Sequence, residues 1–270
     1  MIISCLQMPV VIGGFAENTA ALRRMMKTAM EGEDGKRPDV IVLPELWDIG
    51  FYPRPLAENL ADDPQGVMVG LAEEYGVNIV GGSVAVKEAD GSIANACFVY
   101  DRSGKCIARY DKTHLFSPGK EDRHFAKGGH LGRFVLDGVP CAVVICYDLR
   151  FFELLGASCR GNGEDVPRAD ILFLPTQWPE LRREHWQILT RARAIENQVF
   201  LCGCNAKGGF SPKVPLCGCT EIIGPWGDIL AQESTDEEAI VTAEIDLAKL
   251  TEARKALPVM EDRRPELYSI

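Results

Sequence analysis

Short apolar segments alternate with longer amphipathic segments along most of the chain. Short runs rich in Val and Ile, bounded by Gly, Pro or polar residues, are typical of buried strands. The predicted strands are residues 2–7, 40–43, 78–81, 96–100, 106–110, 142–145, 171–174, 199–204, 220–223, 229–232 and 239–245. The predicted helices, with apolar residues at helical spacing, are residues 18–31, 67–75, 152–159, 181–197 and 247–256. This alternation predicts an α/β fold of layered sheets and helices.

The length of 270 residues and the hydrophobic fraction of 46% are sufficient for one sizeable core, so we predict a single domain over residues 1–270. Two segments, 41–47 (IVLPELW) and 171–178 (ILFLPTQW), share an apolar strand that ends at proline, with tryptophan shortly after. The similarity indicates two halves of related architecture, although a proline after a buried strand is also a simple strand terminator. Residues 101–104 (DRSG) indicate a hairpin turn between two predicted strands.

The charge of the chain argues against nucleic acid and anionic membranes as partners. The formal net charge is −10, and the sequence has no block of Lys or Arg. No apolar run approaches the roughly 18 residues of a membrane span. Residues 1–7 lack a basic stretch and a cleavage motif, so we interpret them as a first strand and expect a cytoplasmic protein. An anionic small molecule remains compatible with this charge, because a local Arg or Lys can dominate a cleft.

Ten cysteines in such a chain indicate reduced thiols. Cys97, Cys141 and Cys202 lie in strand-like segments, where cysteine packs as a small hydrophobic residue. The pairs at 202–204 and 217–219 (both CGC) could give four thiolates to zinc, so a zinc-thiolate binding module is the non-enzymatic alternative. Strand alternation explains the C-x-C spacing more simply, since residues i and i+2 share one face. We therefore expect no metal.

Three reactive residues directly follow apolar strand segments: Glu45, Lys112 and Cys146. Catalytic groups of α/β proteins gather where strands end, so these side chains can converge. They form a complete chemical set, because a thiolate attacks a carbonyl or nitrile carbon, a carboxylate moves protons, and an ammonium stabilises the oxyanion. The alternative is that Cys146 is a thiol in the core, Glu45 is a carboxylate near a helix N-cap, and Lys112 is a solvated surface amine. Spacing alone does not show that the three side chains meet.

The segments around these residues resemble the motifs of the nitrilase (carbon–nitrogen hydrolase) superfamily and occur in that family's order. The matching segments are 44–51 (PELWDIGF), 110–116 (YDKTHLF), 145–151 (ICYDLRF), 192–198 (ARAIENQ) and 224–227 (GPWG). The resemblance implies an αββα sandwich, in which two mixed sheets are flanked by helices. It also implies a Glu-Lys-Cys site that hydrolyses a small-molecule amide without a cofactor.

The resemblance assigns a role to each reactive residue. Cys146 is the nucleophile, Glu45 is the general base, and Lys112 stabilises the oxyanion. The backbone N–H of Tyr147, directly after the nucleophile, is expected to stabilise the same oxyanion. Glu121 matches a second glutamate of the family that positions the lysine or assists proton transfer. The alternative for Glu121 is a solvated charge in the charged loop around it.

The resemblance further implies a homodimer or a higher homo-oligomer. Its interface would use the helix after the cysteine, residues 150–159, and the long helix that ends near Asn197. The C-terminal tail, residues 246–270, is expected to pack on the partner subunit.

Within the superfamily, residues 177–186 and 192–198 are similar to the omega-amidase-like branch. Omega-amidases cleave the terminal amide of 2-oxo dicarboxylate monoamides. Arg150 or Arg182 would then bind the substrate carboxylate, since Arg suits bidentate carboxylate binding, while a surface salt bridge is the competing explanation. The residues expected to wall the pocket, with core packing as their alternative, are Phe51, Tyr52, Phe116 and Trp178.

Two features depart from that branch. Gln177 sits where small or acidic residues are common, and residues 205–207 (NAK) replace a commoner Asn-Arg. Nitrilase, N-carbamoyl hydrolase and ammonia-supplying amidase activities therefore remain alternatives that use the same three residues. A catalytically inactive scaffold is a further alternative, against which the intact Glu-Lys-Cys set argues.

Overall fold

The structure is a computed structural model that describes residues 1–32, 35–52, 54–161, 167–211 and 213–267. The strands are β1 (Ile2–Gln7), β2 (Val40–Val42), β3 (Asn78–Val80), β4 (Val84–Lys87), β5 (Ile93–Tyr100), β6 (Cys106–Asp111), β7 (Gly132–Leu136), β8 (Val139–Val143), β9 (Ile171–Thr176), β10 (Phe200–Asn205), β11 (Gly209–Ser211), β12 (Val214–Pro215), β13 (Glu221–Ile223), β14 (Ile229–Gln232) and β15 (Ala239–Glu244). The α-helices are α1 (Phe15–Glu31), α2 (Pro64–Tyr75), α3 (Phe152–Arg160), α4 (Arg183–Asn197) and α5 (Leu247–Ala256). None of the described helices is both long and apolar enough to cross a bilayer.

The strands form two large sheets with a similar plan. The first sheet has the order β15-β1-β2-β3-β5-β4, and β6 also pairs with β5. The second sheet has the order β14-β13-β10-β9-β8-β7. Each sheet contains three neighbouring parallel strands, β1-β2-β3 in the first and β10-β9-β8 in the second. The similar segments 41–47 and 171–178 begin in the middle strands of these triplets, β2 and β9, which confirms that the two halves have related architecture.

The two sheets pack face to face, and helices cover their outer faces. Because side chains alternate across a strand, one face of the first sheet, including Ile3 and Val42, shares a buried cluster with Val143 and Phe173 of the second. The other face, including Leu6, packs against α1 and α2. Helices α3 and α4 contact β8 and β10 on the far side of the second sheet. This arrangement is the expected αββα sandwich.

The strand prediction omits β4, β7 and the short β11–β12 hairpin. Strand β7 joins β8 through a turn at Asp137 and Gly138, whose φ angles are 48° and 81°. Asp-Gly is a strong signal for such a turn, because both central residues need positive φ. The predicted strand 142–145 is therefore displaced, since β8 begins directly after this turn and ends before the loop that carries Cys146.

The beginning of the C-terminal tail packs on its own chain. Arg254 of α5 forms an ion pair with Asp170 at 2.7 Å, and the Gln198 side chain donates to the backbone oxygen of Leu257 at 2.7 Å. Leu250 is buried. The packing of residues 246–270 on a partner subunit stays a prediction, and residues 268–270 lie outside the described residues.

Candidate active site

Glu45, Lys112 and Cys146 meet at one end of the interface between the sheets. Glu45 follows β2, Lys112 follows β6, and Cys146 opens a 3-10 helix, Cys146–Arg150, after β8. Glu45 and Lys112 are fully buried, and Cys146 is 7% exposed. The φ angle of Cys146 is 46°, in the left-handed region that a side chain rarely adopts. Such strain persists only where surrounding contacts enforce it, and it concentrates at functional sites.

One ammonium bridges two buried carboxylates in this site. Nζ of Lys112 lies 2.7 Å from Oε1 of Glu45, and 3.0 Å and 2.8 Å from the two carboxylate oxygens of Glu121. The Asn95 side chain donates to the same carboxylates, at 3.0 Å to Glu45 and 2.9 Å to Glu121. All four side chains are fully buried. The solvated alternatives for Lys112 and Glu121 are therefore wrong, and a buried charge cluster of this kind indicates a functional site.

The electrostatics of the cluster determine where protons reside. Burial raises the pKa of Glu45, Lys112 opposes this shift, and Glu121 adds to it. Burial lowers the pKa of Lys112, but Glu121, Glu45 and Cys146 outweigh burial and raise it well above its usual value. Burial also raises the pKa of Cys146, and the charge of Glu45 adds to that shift while Lys112 opposes it. The resting site therefore contains a neutral thiol beside a charged ammonium.

Gln177, at the end of β9, joins the two sheets at this point. Its backbone N–H donates to Oε2 of Glu45 at 3.2 Å, and its side-chain amide donates to the backbone oxygen of Glu45 at 2.7 Å. Its backbone oxygen lies 3.9 Å from Sγ of Cys146. Glu45 at the end of a strand of the first sheet and Cys146 at the end of a strand of the second are thus both contacted by one residue.

Asp148 fixes the cysteine loop to the lysine loop. Its Oδ2 accepts the backbone N–H of Ile145 at 3.0 Å and the hydroxyl of Tyr110 at 2.7 Å. Its Oδ1 accepts the backbone N–H of His114 at 2.8 Å. Because Ile145 precedes Cys146 and the other two residues flank Lys112, this buried carboxylate sets the position of the Cys146 loop relative to the Lys112 ammonium.

A small pocket opens beside Cys146. Its lining residues are Phe51, Phe116, Cys146, Tyr147, Arg150, Gln177, Trp178, Pro179, Arg182 and Phe210. The structure thus brings together Cys146, the expected oxyanion residue Tyr147 and most of the expected binding residues. Most of the wall is aromatic or apolar, and its charged groups are two guanidinium groups, which is typical of a small-molecule site.

Tyr52 is expected from the sequence to line the pocket, but it is not among the lining residues. It is almost fully buried, its hydroxyl donates to the backbone oxygen of Gly119, and its ring packs against His124 and Phe125. Tyr52 therefore supports Phe51 from behind and does not face the pocket, because its polar end is already engaged.

Two guanidinium groups stand at the pocket wall. Cζ of Arg150 lies 4.8 Å from the ring centre of Trp178, and Cζ of Arg182 lies 5.6 Å from that of Phe116. Among the residues that the structure describes, neither forms a salt bridge with a carboxylate. Burial lowers the pKa of Arg150, and the charge of Arg182 lowers it further. The pair therefore favours an anion in the pocket.

The sequence analysis misses Asn95, Asp148 and Phe210. Asn95 carries a usable signal, because it is a polar residue within an otherwise apolar strand segment. Asp148 lies two residues after Cys146, but its partners come from a distant loop. Phe210 belongs to the unpredicted β11–β12 hairpin and stacks on Phe51, with ring centres 4.2 Å apart. Nothing in its local sequence indicates this contact.

The two C-x-C pairs do not form the alternative zinc site. Cys202 and Cys204 lie in β10 at alternate positions, as expected for a strand. Cys217 and Cys219 lie in a turn, where Gly218 and Cys219 have positive φ, so strand alternation does not explain the second pair. In the described part of the chain, no group of three or more His, Cys, Asp or Glu side chains could hold a metal ion.

Comparison with known proteins identifies the family of the chain. The family model named carbon–nitrogen hydrolase matches residues 2–255. A Bacillus subtilis protein named 2-oxoglutaramate amidase is 38% identical over 98% of both chains, and an Escherichia coli protein named omega-amidase YafV is 33% identical over 96% of this chain and 95% of its own. A carbon–nitrogen hydrolase superfamily protein from Xanthomonas campestris, with an arsenic adduct in its active site, superposes with a TM-score of 0.88 at 25% identity and covers 98% of this chain and 97% of its own. The chain therefore belongs to the carbon–nitrogen hydrolase family, as the sequence motifs indicate, and is a hydrolase of carbon–nitrogen bonds other than peptide bonds.

Proposed function

We propose that this protein is an omega-amidase, which hydrolyses the terminal amide of a 2-oxo dicarboxylate monoamide through a cysteine thioester. The observation that carries the proposal is that one pocket joins the Cys146 thiol and two guanidinium groups without a carboxylate partner among the described residues. The buried ammonium and its two carboxylates lie behind this thiol. The names of the relatives from B. subtilis and E. coli support the same substrate class.

The reaction would begin with proton transfer from Cys146 to Glu45 as Sγ attacks the amide carbon. Lys112 and the backbone N–H of Tyr147 would hold the oxyanion. Tyr147 lies in the first turn of its 3-10 helix, where backbone N–H groups have no partner within the helix. Glu45 then gives the proton to departing ammonia, which leaves a thioester on Cys146. A water molecule that loses a proton to Glu45 hydrolyses the thioester, and Glu45 returns that proton to the thiolate.

The substrate carboxylate would bind at Arg150 and Arg182. Both guanidinium groups are planar forks that can bind a carboxylate through two hydrogen bonds. Both arginines line the same pocket as Cys146, together with Tyr147 and Trp178. The carboxylate end of a short substrate can therefore reach the guanidinium groups while its amide stays at Cys146. A neutral amide would leave these charges unpaired, which provides a physical basis for selectivity.

We expect the substitutions Arg150→Met and Arg182→Met to lower kcat/KM for 2-oxo dicarboxylate monoamides at least tenfold in one or both variants, since each tenfold change equals about 1.4 kcal/mol of lost pairing. Hydrolysis of a neutral amide of the same length should stay close to wild type. The matched control is Arg24→Met, because Arg24 forms its ion pair with Glu238 on the surface. Equal losses on anionic and neutral amides would contradict the carboxylate-binding role.

The experiment that tests the function is ammonia release by the purified protein across a panel of amides, nitriles and N-carbamoyl compounds. Preference for the dicarboxylate monoamide supports the proposal. A nitrile or an N-carbamoyl compound with a higher kcat/KM would overturn the omega-amidase assignment while leaving the catalytic residues unchanged. No hydrolysis of any class would favour the inactive scaffold.

The outer surface of α4 supports the proposal of a homodimer. Leu181, just before α4, and Ile188 and Ile195 of α4 are exposed. Trp186 and Ala194 of the same helix are buried, and Leu189 packs against the core. Exposed Phe152 of α3 and Trp226 of the GPWG segment are further apolar residues of this kind. Large exposed apolar patches mark interaction surfaces, and these two helices are the ones that the family resemblance assigns to the interface.

We expect Ile188→Glu to shift the protein from dimer to monomer, because a charge placed in an apolar interface loses its solvation. Multi-angle light scattering after size exclusion would measure the mass. Val135→Glu is the matched control, since Val135 is exposed on β7, outside this surface. A dimer that survives Ile188→Glu would remove α4 from the interface.

A further inference from the structure

Asn95 lies between the two glutamates of the site. It belongs to β5, and its backbone oxygen accepts the N–H of Lys112 at 2.9 Å, so the strand pairing fixes it beside the ammonium. Its side-chain nitrogen lies 3.0 Å from Oε1 of Glu45 and 2.9 Å from Oε1 of Glu121. An amide nitrogen has two hydrogens, so each carboxylate receives one of them.

The orientation of this amide follows from its neighbours. The opposite orientation would point the amide oxygen at two carboxylates, where it could only repel them. In the observed orientation the oxygen of Asn95 is buried and has no hydrogen-bond partner among the described residues. A buried polar atom without a partner costs free energy. An apolar residue at this position would pack without a buried, unpaired oxygen. The two hydrogen bonds that Asn95 donates to the carboxylates therefore indicate a functional role in the site.

The two carboxylates depend on Asn95 to different degrees. Glu121 also receives the backbone N–H of Phe116 at 2.6 Å and two short contacts from Lys112. Glu45 receives one contact from Lys112 and a longer one, 3.2 Å, from the backbone of Gln177. Loss of the Asn95 donor therefore weakens the stabilisation of Glu45 more than that of Glu121.

We propose that Asn95 is a positioning residue that keeps Glu45 ionised and turned toward Cys146, so that Glu45 can act as the base. The inference rests on the proposed role of Glu45 in proton transfer. The titratable groups that face Glu45 are Lys112 from the end of β6, Glu121 from the 3-10 helix Glu121–Arg123, and Cys146 from the end of β8. Asn95 adds a donor to this set without adding a charge.

The variant Asn95→Leu removes the hydrogen bonds that the Asn95 side chain donates to Glu45 and Glu121, while the side-chain volume stays nearly constant. Without its donor, the Glu45 carboxylate takes up a proton at higher pH, so the acidic limb of the kcat/KM profile should move upward by about one pH unit, the size expected for one hydrogen bond to a charged group. At neutral pH kcat should fall while KM changes little. Asn95→Ser, which keeps one short donor, should show a smaller shift and confirm the direction if the leucine variant folds poorly.

The matched control is Asn78→Leu. Asn78 lies in the same sheet, is equally buried, donates with its amide nitrogen to Asp39 and Asp137, and also leaves its side-chain oxygen without a partner among the described residues. It touches none of the catalytic candidates in these contacts. A merely structural role for a buried asparagine would give the two leucine variants similar losses of stability and the same pH profile as wild type.

A second readout separates this inference from the proposed function. The rate at which iodoacetamide alkylates Cys146, followed by mass spectrometry against pH, reports thiol deprotonation without any substrate. Glu45→Gln should slow alkylation, because loss of the proton acceptor outweighs loss of the charge that raises the pKa of Cys146. Asn95→Leu should move the pH profile of alkylation upward while Asn78→Leu does not. If Glu45→Gln leaves alkylation unchanged, the proposed base is wrong. If Glu45→Gln slows alkylation but Asn95→Leu keeps the wild-type profile, the inference about Asn95 alone is overturned.

Discussion

Replacing Cys146 with alanine should lower kcat by about 10⁴-fold or more, because the proposed thioester needs a thiol and Cys146 is the only cysteine among the described residues that line the pocket. Loss of a catalytic nucleophile typically has this magnitude. The fold should persist, since the change removes one sulfur atom from a position at the pocket wall. Ammonia release and thermal unfolding of the same preparation measure the two effects separately.

Cys141→Ala is the control for this substitution, because Cys141 is a buried thiol in β8, the strand that leads to Cys146. It should retain most of the activity. Wild-type protein mixed with a slowly hydrolysed amide should carry an acyl group on Cys146. An acyl group found instead on Cys217 or Cys219 would move the nucleophile to the turn that holds that pair.

Replacing Lys112 with methionine should lower kcat by about 10²–10³-fold, the usual effect of removing one oxyanion donor. Stability should also fall at neutral pH, by about 3–5 kcal/mol, because two buried carboxylates lose their cation. The pKa of Glu45, already raised by burial, rises further without Lys112, so the folded protein binds more protons than the unfolded chain. Its stability should therefore decline relative to wild type as pH rises above about 4.3, the value for an unfolded glutamate.

The double variant Lys112→Met/Glu121→Gln provides the control, because it removes one of the two orphaned charges. It should regain stability near pH 7 without regaining activity. If Lys112→Met instead raises KM and leaves kcat unchanged, the lysine binds the substrate and does not stabilise the transition state.

Much of the fold follows from local sequence, because the apolar segments that became β1, β2, β9 and β10 are buried on both faces and therefore stand out in composition. Half-exposed strands are harder to recognise. Strand β7, with alternating burial, lacks a continuous apolar run, and its clearest signal is the Asp-Gly turn that follows it.

The helical period of α4 is visible in the sequence, but its orientation is not. Periodicity shows that apolar residues share a face and does not show whether that face meets the core or another subunit. In the structure the core-facing side of α4 includes Thr190 and Asn197, which are polar, while Ile188 is exposed. The choice depends on hydrogen bonds that only the tertiary structure supplies, such as the one from Thr190 to Glu221.

The catalytic candidates could be predicted because they follow strands and match an ordered set of motifs. Their supporting residues are harder to assign. Asn95 stands out as a polar residue in an apolar strand, but its partners, like those of Asp148, are distant along the chain. Tyr52 shows the opposite error. An aromatic residue next to a motif has the right composition for a pocket wall, but the neighbouring loop engages its hydroxyl and turns it away.

The site is assembled across the boundary between the two sheets. The hydrophobic core between the sheets therefore affects how the side chains of the site are placed relative to one another. Glu45 and Lys112 follow strands of one sheet, and Cys146 follows a strand of the other. Their separation therefore also depends on the apolar side chains packed between the sheets, such as Val42 and Phe173. A misplacement of about 1 Å can cost 10²-fold in rate. Apolar residues remote from the pocket therefore contribute to the geometry of the site, although they have no reactive groups of their own.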